Sequence, residues 1–247
     1  MTKENEPRSL LVTVNEPLSL DWNKDRLQVE KGARQPTPAD KYYDLARSIH
    51  ALFDLLTYGT PSQPNHPMRT GLLRKVHDEL YPIAHFAKLY FTNPENVVIQ
   101  WVDGNQQHDA IVEYIGAGSN QSDIRYLEVT TLQGKEDFDE LKELSEGPSV
   151  TLVASGSAQE KHDRKIEQLT RILKKKSKIL YPPKTALLVY TDEERFRQFH
   201  FGPPLPKIDK KSDYEASSHD LAPLLRNFSH VFIFSRREIY SAWTSGA

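Results

Sequence analysis

Two acids stand where strand chemistry does not favour them. In "HDAIVEYIGAGSNQSDIRYLEVTT" (His108–Thr131), Asp109 opens one run of β-forming residues, and Glu128 lies between Leu127 and Val129 in the next. Side chains alternate faces along a strand, so Tyr126, Glu128 and Thr130 share one side while Leu127 and Val129 share the other. A carboxylate in such surroundings is costly unless it is paired, hydrogen-bonded or bound to a cation. A hairpin across the "GAGSNQSD" loop would bring the two carboxylates close. Converging oxygen donors at a sheet edge suit a hard divalent cation such as Mg²⁺, which also takes phosphate oxygens. The plainer alternative is that Asp109 ends a turn and Glu128 pairs with a lysine or arginine.

A second source of chemistry is the stretch "KHDRKIEQLTRILKKKSKIL" (Lys161–Leu180). Ile166, Leu169, Ile172 and Leu173 recur at helical spacing, with His162 inside the stripe, Lys165 at its edge and Gln168 just beyond it. His162 and Lys165, about one turn from the start, could reach toward the polar end of the strands; the alternatives are a satisfied core histidine and a solvated rim lysine. From Lys161 to Lys184 there are nine Lys/Arg and two acids, a local charge of +7 in a chain of net charge −2. Such a segment contacts phosphates or forms a solvated helix face. Lys207, Lys210 and Lys211 make a smaller basic cluster.

The elements that must position these residues follow from patterning. Residues 1–36 read as an irregular extension, with "SLLVTV" (Ser9–Val14) as one strand and "KGARQP" as a linker. In "TPAD", Thr37 is read as a helix N-cap and Pro38 as the first helical residue, followed by Tyr42, Leu45, Ile49, Leu52 and Leu56 at helical spacing. A second helical run over Met68–Phe91 should kink or break at Pro82. Beyond it the sequence predicts strands at Val97–Val102, in the two acid-bearing runs, at Ser149–Ser155, at Thr185–Asp192 and at His230–Ser235. Helices are expected over the acidic "KEDFDELKELSEG", over Ala158–Lys178, near Glu193–Phe199 and near His219–Asn227. The predicted class is α/β: a central mixed sheet flanked by helices in one domain, residues 37–247. Its helical part would span 37–91 and its sheet core 92–247.

This order resembles the PD-(D/E)XK nuclease superfamily, the restriction-endonuclease-like fold. The resemblance rests on Asp109 at the start of one strand, Glu128 in "EVT" 19 positions later, then a helix and an apolar strand; it covers roughly residues 68–192. It implies a metal-dependent endonuclease, a phosphodiesterase acting on nucleic acid, with DNA favoured. In that reading Asp109, Glu128 and the Val129 carbonyl hold Mg²⁺ or Mn²⁺, and Glu79 supplies the acid of the preceding helix. The family motif has lysine where this chain has Thr130, and some members carry the essential Lys or Gln on the following helix. Lys165 is then the replacement, with His162 and Gln168 as companions. The alternative reading of Thr130 is a catalytically inactive scaffold that binds nucleic acid or protein, and a third is a basic helix meeting an acidic partner.

Composition narrows the rest. With 38% hydrophobic and 27% charged residues, 247 residues are enough for a substantial core. The absence of cysteine excludes disulfides, a thiol nucleophile and cysteine-ligated metals. No apolar run reaches the length of a membrane span, and Met1–Asn5 does not read as a signal peptide, so the expectation is a cytoplasmic protein without a membrane partner. Phosphate-cradling glycine loops, G-x-S-x-G and H-E-x-x-H are missing. His77, Asp78, Glu79 and His85 lie close in sequence, but Pro82 interrupts the helix that would align the histidines for zinc. Residues 1–60 would recognise a target, mediate homodimerisation or cover a sheet face.

Overall fold

A computed structural model describes residues 17–19, 21–57, 71–104, 106–115, 124–132, 157–191 and 208–245. The strand expected at Ser9–Val14, the acidic helix, the strand at Ser149–Ser155, the helix near Glu193–Phe199 and Lys207 lie outside them. The chain divides into two compact units, residues 1–121 and 122–247.

Among its described residues the first unit holds helices and three strands. Helix α1 (Trp22–Ala33) starts at Asp21, whose side chain caps the Asn23 amide. It corrects the reading of residues 1–36 as irregular: its apolar stripe is faint, with Leu27 76% exposed, so periodicity gave little signal. Thr37 and Pro38 form strand β1 (Thr37–Pro38) instead of a helix start, paired antiparallel with β2 (Val97–Trp101), and helix α2 begins only at Tyr42 (Tyr42–Thr57). The turn in this stretch falls at residues 39–41, after the strand and before α2. Of the predicted stripe along α2, Tyr42, Leu45, Ile49 and Leu56 are buried and Leu52 is half-buried, with Ala46 and Phe53 buried beside them. β2 pairs antiparallel with β3 (Ala110–Tyr114), with Ile99 opposite Val112 and Trp101 opposite Ala110.

Pro82 acts one turn earlier than a simple break. Helix α3 (Gly71–Lys75) runs into a π turn over Val76–Leu80, and α4 (Tyr81–Tyr90) resumes beyond it. The Tyr81 amide donates to the carbonyl of Val76, five residues back. Proline has no amide to give and its ring crowds the carbonyl four residues earlier, so a widened turn lets the helix continue.

The second unit is a mixed α/β layer. β4 (Tyr126–Thr131) pairs parallel with β5 (Thr185–Tyr190), β5 parallel with β6 (His230–Phe234), and β6 antiparallel with β7 (Ile239–Thr244). All six residues of β5 are buried, as expected for a strand with neighbours on both sides. Helix α5 (Ala158–Lys176) connects toward β5 and opens with a capping box between Ser157 and Glu160. Its Leu169 and Leu173 meet Leu187, Val189, Val231 and Ile233, together with Tyr214 of helix α6 (Lys210–Leu221). The helix expected near His219–Asn227 lies earlier than predicted, because α6 buries only Tyr214 and Ser218 and its period is nearly silent. A 3₁₀ turn at Ala222–Leu224 follows it. β7 was not legible: only Tyr240 and Ser241 of its six residues are buried. The coarse class, α/β with a mixed sheet and flanking helices, is what the sequence predicted. Among the described residues no helix is long and apolar enough to cross a membrane.

Candidate functional site

Glu128 sits in β4 opposite Leu187, and in a parallel pair such partners point to the same face. That is the face on which α5 packs, so the carboxylate is directed at the helix. Glu128 is 9% exposed, and its Oε1 accepts a hydrogen-bonded ion pair from Nζ of Lys176 and a longer bond, 3.5 Å, from the hydroxyl of Tyr181. Tyr181 is held by Phe228, ring centroids 4.6 Å apart. Both donors fall on Oε1, and Oε2 receives none among the described residues. This realises the lysine-pairing alternative for Glu128. The partner is neither Lys165 nor an adjacent strand residue.

Lys165 and Lys176 are eleven residues apart, three turns of helix to within about 20°, so they share a face but stand about 16 Å apart along the axis. Lys165 and Gln168 are half-buried on α5, Thr130 is half-buried in β4, and Val129 is buried opposite Leu188. His162 is 3% exposed, with Nε2 hydrogen-bonded to Oδ2 of Asp213 at 2.9 Å and its ring edge-on to Tyr214 at 5.4 Å. It is thus a core histidine whose Nε2 is engaged by α6. Lys176 was missed because a wheel gives the angle of a residue and not its height along the strand.

In the first unit the expected acids gather around a tyrosine. Glu79, on the π turn, accepts a 2.7 Å hydrogen bond from the indole of Trp101, and burial pushes its carboxyl above the ordinary range. Asp109 precedes β3, its carbonyl accepting from the Val102 amide at 2.9 Å. The hydroxyl of Tyr42 is fully buried and has no hydrogen-bond partner among the described residues. Its pKa is driven up by burial first, and then by the charges of Glu79 and Asp109, which places all three groups in one neighbourhood. Asp103 is handled differently: burial pushes it up, but hydrogen bonds and charge from Lys75 and Arg34 hold it below its usual value. The same two cations lie 5.7 and 6.0 Å from the Trp101 ring centre.

The π turn also carries His77, whose ring lies edge-on to His50 at 4.9 Å. Burial, with the neighbouring His50, lowers its pKa to about 4. His50 Nδ1 is 3.2 Å from the Tyr81 hydroxyl, and Tyr81 stacks over His85. The pairing of His77 with His50 had no sequence signal, because the partners come from different helices. His77 and His85 are not drawn into a zinc-like set: among the described residues no group of three or more His, Asp or Glu side chains is arranged to hold a metal ion.

Compared with known proteins, the chain matches no protein-family model, no curated protein and no solved structure.

Proposed function

We propose that this protein is a metal-dependent phosphodiesterase that hydrolyses nucleic acid, with DNA as substrate, on a restriction-endonuclease-like scaffold. The observation that carries the reading is the Glu128–Lys176 pair: a lysine meets the strand glutamate although Thr130 stands at the motif position. The element order supports it. A helix (α4) precedes β2, β3 and β4, and α5 leads to a strand parallel to β4, as the resemblance implies.

The donor chemistry fits a hard cation. Oε2 of Glu128 and the Val129 carbonyl, both in the second unit, are oxygens of the kind that suits Mg²⁺ or Mn²⁺. When bound, such a metal lowers the pKa of its water and so supplies a nucleophile at neutral pH. The residues of the chain do the positioning. Lys176 and Tyr181 anchor one oxygen of Glu128 and fix the direction of the other. The ammonium group of Lys176 also offsets negative charge beside the carboxylate.

Plasmid and linear DNA incubated with the purified protein in Mg²⁺ or Mn²⁺ test this. Cleavage by the wild type is expected, with loss of two or more orders of magnitude in Asp109→Asn or Glu128→Gln. Cleavage undiminished in those variants, or cleavage of RNA alone, defeats the reading. One observation favours a second reading, a binding scaffold without turnover: Lys176 already neutralises Glu128. That version predicts DNA binding with no cleavage under any divalent metal.

A further inference from the structure

Between Glu167 and Thr191 the chain contains no acid, and it contains six Lys/Arg. Lys176 is turned inward to Glu128. Arg171, Lys174, Lys175 and Lys178 are exposed and make no ion pair among the described residues. Their spacing places them within about 100° of one another on α5 and its immediate extension, opposite the face that buries Leu169 and Leu173.

Tertiary structure adds to this row. The Asn227 side-chain amide donates to the carbonyls of Ser177 and Ile179, at 2.8 and 3.0 Å. These bonds fasten the segment before β6 to the end of α5. The neighbouring Arg226 is exposed and likewise without an ion pair among the described residues, so a fifth cation joins the end of the row. A helix C-terminus carries about half a negative charge, which favours cations there but is far too little to balance five.

We infer that this face, formed by Arg171, Lys174, Lys175, Lys178 and Arg226, binds the phosphate backbone of nucleic acid; the inference rests on the nucleic-acid reading above and extends it to a specific surface. From Arg171 to Lys178 the row runs about 10 Å along the helix, the length over which one strand of a duplex presents about three phosphates. Nucleic acid fits better than a membrane surface, because α5 has already committed its apolar stripe to the core and, among the described residues of the second unit, the only large exposed apolar side chains are Leu180 and Leu224. The contacts would be to phosphates and carry no sequence preference.

The test is fluorescence anisotropy of a short labelled DNA duplex with the full chain in EDTA, across a salt series. Changing all five residues to Gln should weaken binding at least about tenfold and reduce the slope of log affinity against log salt by about 2.7 or more, roughly 0.9 for each of the about three phosphates that the row spans. Lys178→Gln or Arg226→Gln alone should each reduce it by about 0.9. The charge-keeping set, Arg171→Lys, Lys174→Arg, Lys175→Arg, Lys178→Arg and Arg226→Lys, should keep the wild-type slope, as should Lys24→Gln with Lys31→Gln. An unchanged slope in the five-fold and single Gln variants overturns the inference. Tighter binding of polyglutamate, or of phosphatidylserine vesicles, than of the duplex also overturns it. Because EDTA removes metal, the two proposals fail separately. Salt-dependent binding without cleavage in any metal defeats only the nuclease reading, whereas cleavage with a slope indifferent to these cations defeats only the surface.

Discussion

Glu79 and Glu128 are glutamates withdrawn from water, one in each unit, and they are held by different chemistry. Glu128 meets a lysine directly, so a buried carboxylate is matched by a half-buried ammonium group. Glu79 has a neutral indole donor, with Lys75 acting on it only as a nearby charge, and burial raises its pKa. A carboxylate paired with a lysine is held in one orientation. A carboxylate held by one neutral donor, near Asp78, Asp103 and a buried tyrosine, is poised to take up a proton. The first arrangement suits a fixed ligand or an electrostatic anchor, the second a group that exchanges protons.

The largest test of that contrast is Lys176→Met. It strands a buried carboxylate and should cost about 3–5 kcal/mol in urea unfolding, with much of the loss recovered in the Lys176→Met, Glu128→Leu double variant. A loss below about 1 kcal/mol would mean that water already solvates the pair. Trp101→Phe should cost less, about 2 kcal/mol, because it removes one hydrogen bond from Glu79 and lets the carboxyl respond by protonation. It should also move the Glu79 titration further upward, as read by NMR of the side-chain carboxyl; a downward movement would show that the indole does not stabilise the ionised form.

pH separates the two kinds of group within the first unit. His77 binds its proton less readily when folded, so the unfolded state takes up more protons between pH 6.5 and about 4. Its contribution to stability is therefore present above that window and is lost as pH falls through it. Glu79 has the opposite sign: its raised pKa favours the folded state at low pH and disfavours it as pH rises above the ordinary carboxyl range. Replacing His77 with Asn should flatten the loss between pH 6.5 and 4 by on the order of 1 kcal/mol, measured as the difference in urea stability from wild type. A steeper acid loss in that variant would place the titrating group elsewhere. The smallest expected effect is Tyr42→Phe, which removes a buried hydroxyl that has no partner among the described residues and should stabilise the protein by up to about 1 kcal/mol. Destabilisation would show that the hydroxyl is hydrogen-bonded in solution.

Legibility followed the strength of local patterning. α2 buries four of the five residues of the stripe its spacing announces, β5 is a run with every residue buried, and the interruption at Pro82 follows from the missing amide. α1, α6 and β7 were missed or misplaced because each buries only a few residues, so tertiary contacts hold them with little help from periodicity. For the site, the cost of an acid in the middle of β4 was readable, and so was the need for a partner. The identity of that partner was not, since Lys165 and Lys176 share one face of α5 and differ only in height.

The sequence by itself determined that a carboxylate would be buried beside a long basic helix, because alternation and helical period are properties of neighbouring residues. It also determined the excess of positive charge on that helix and the disturbance around Pro82. Only the tertiary structure decided that Lys176 would reach Glu128, that Asp213 would meet Nε2 of His162, and that Asn227 would fasten the segment before β6 to the end of α5. Each of these choices joins residues dozens of positions apart. They depend on how far each helix slides along the sheet before its leucines seat in the core, a quantity that no local period encodes.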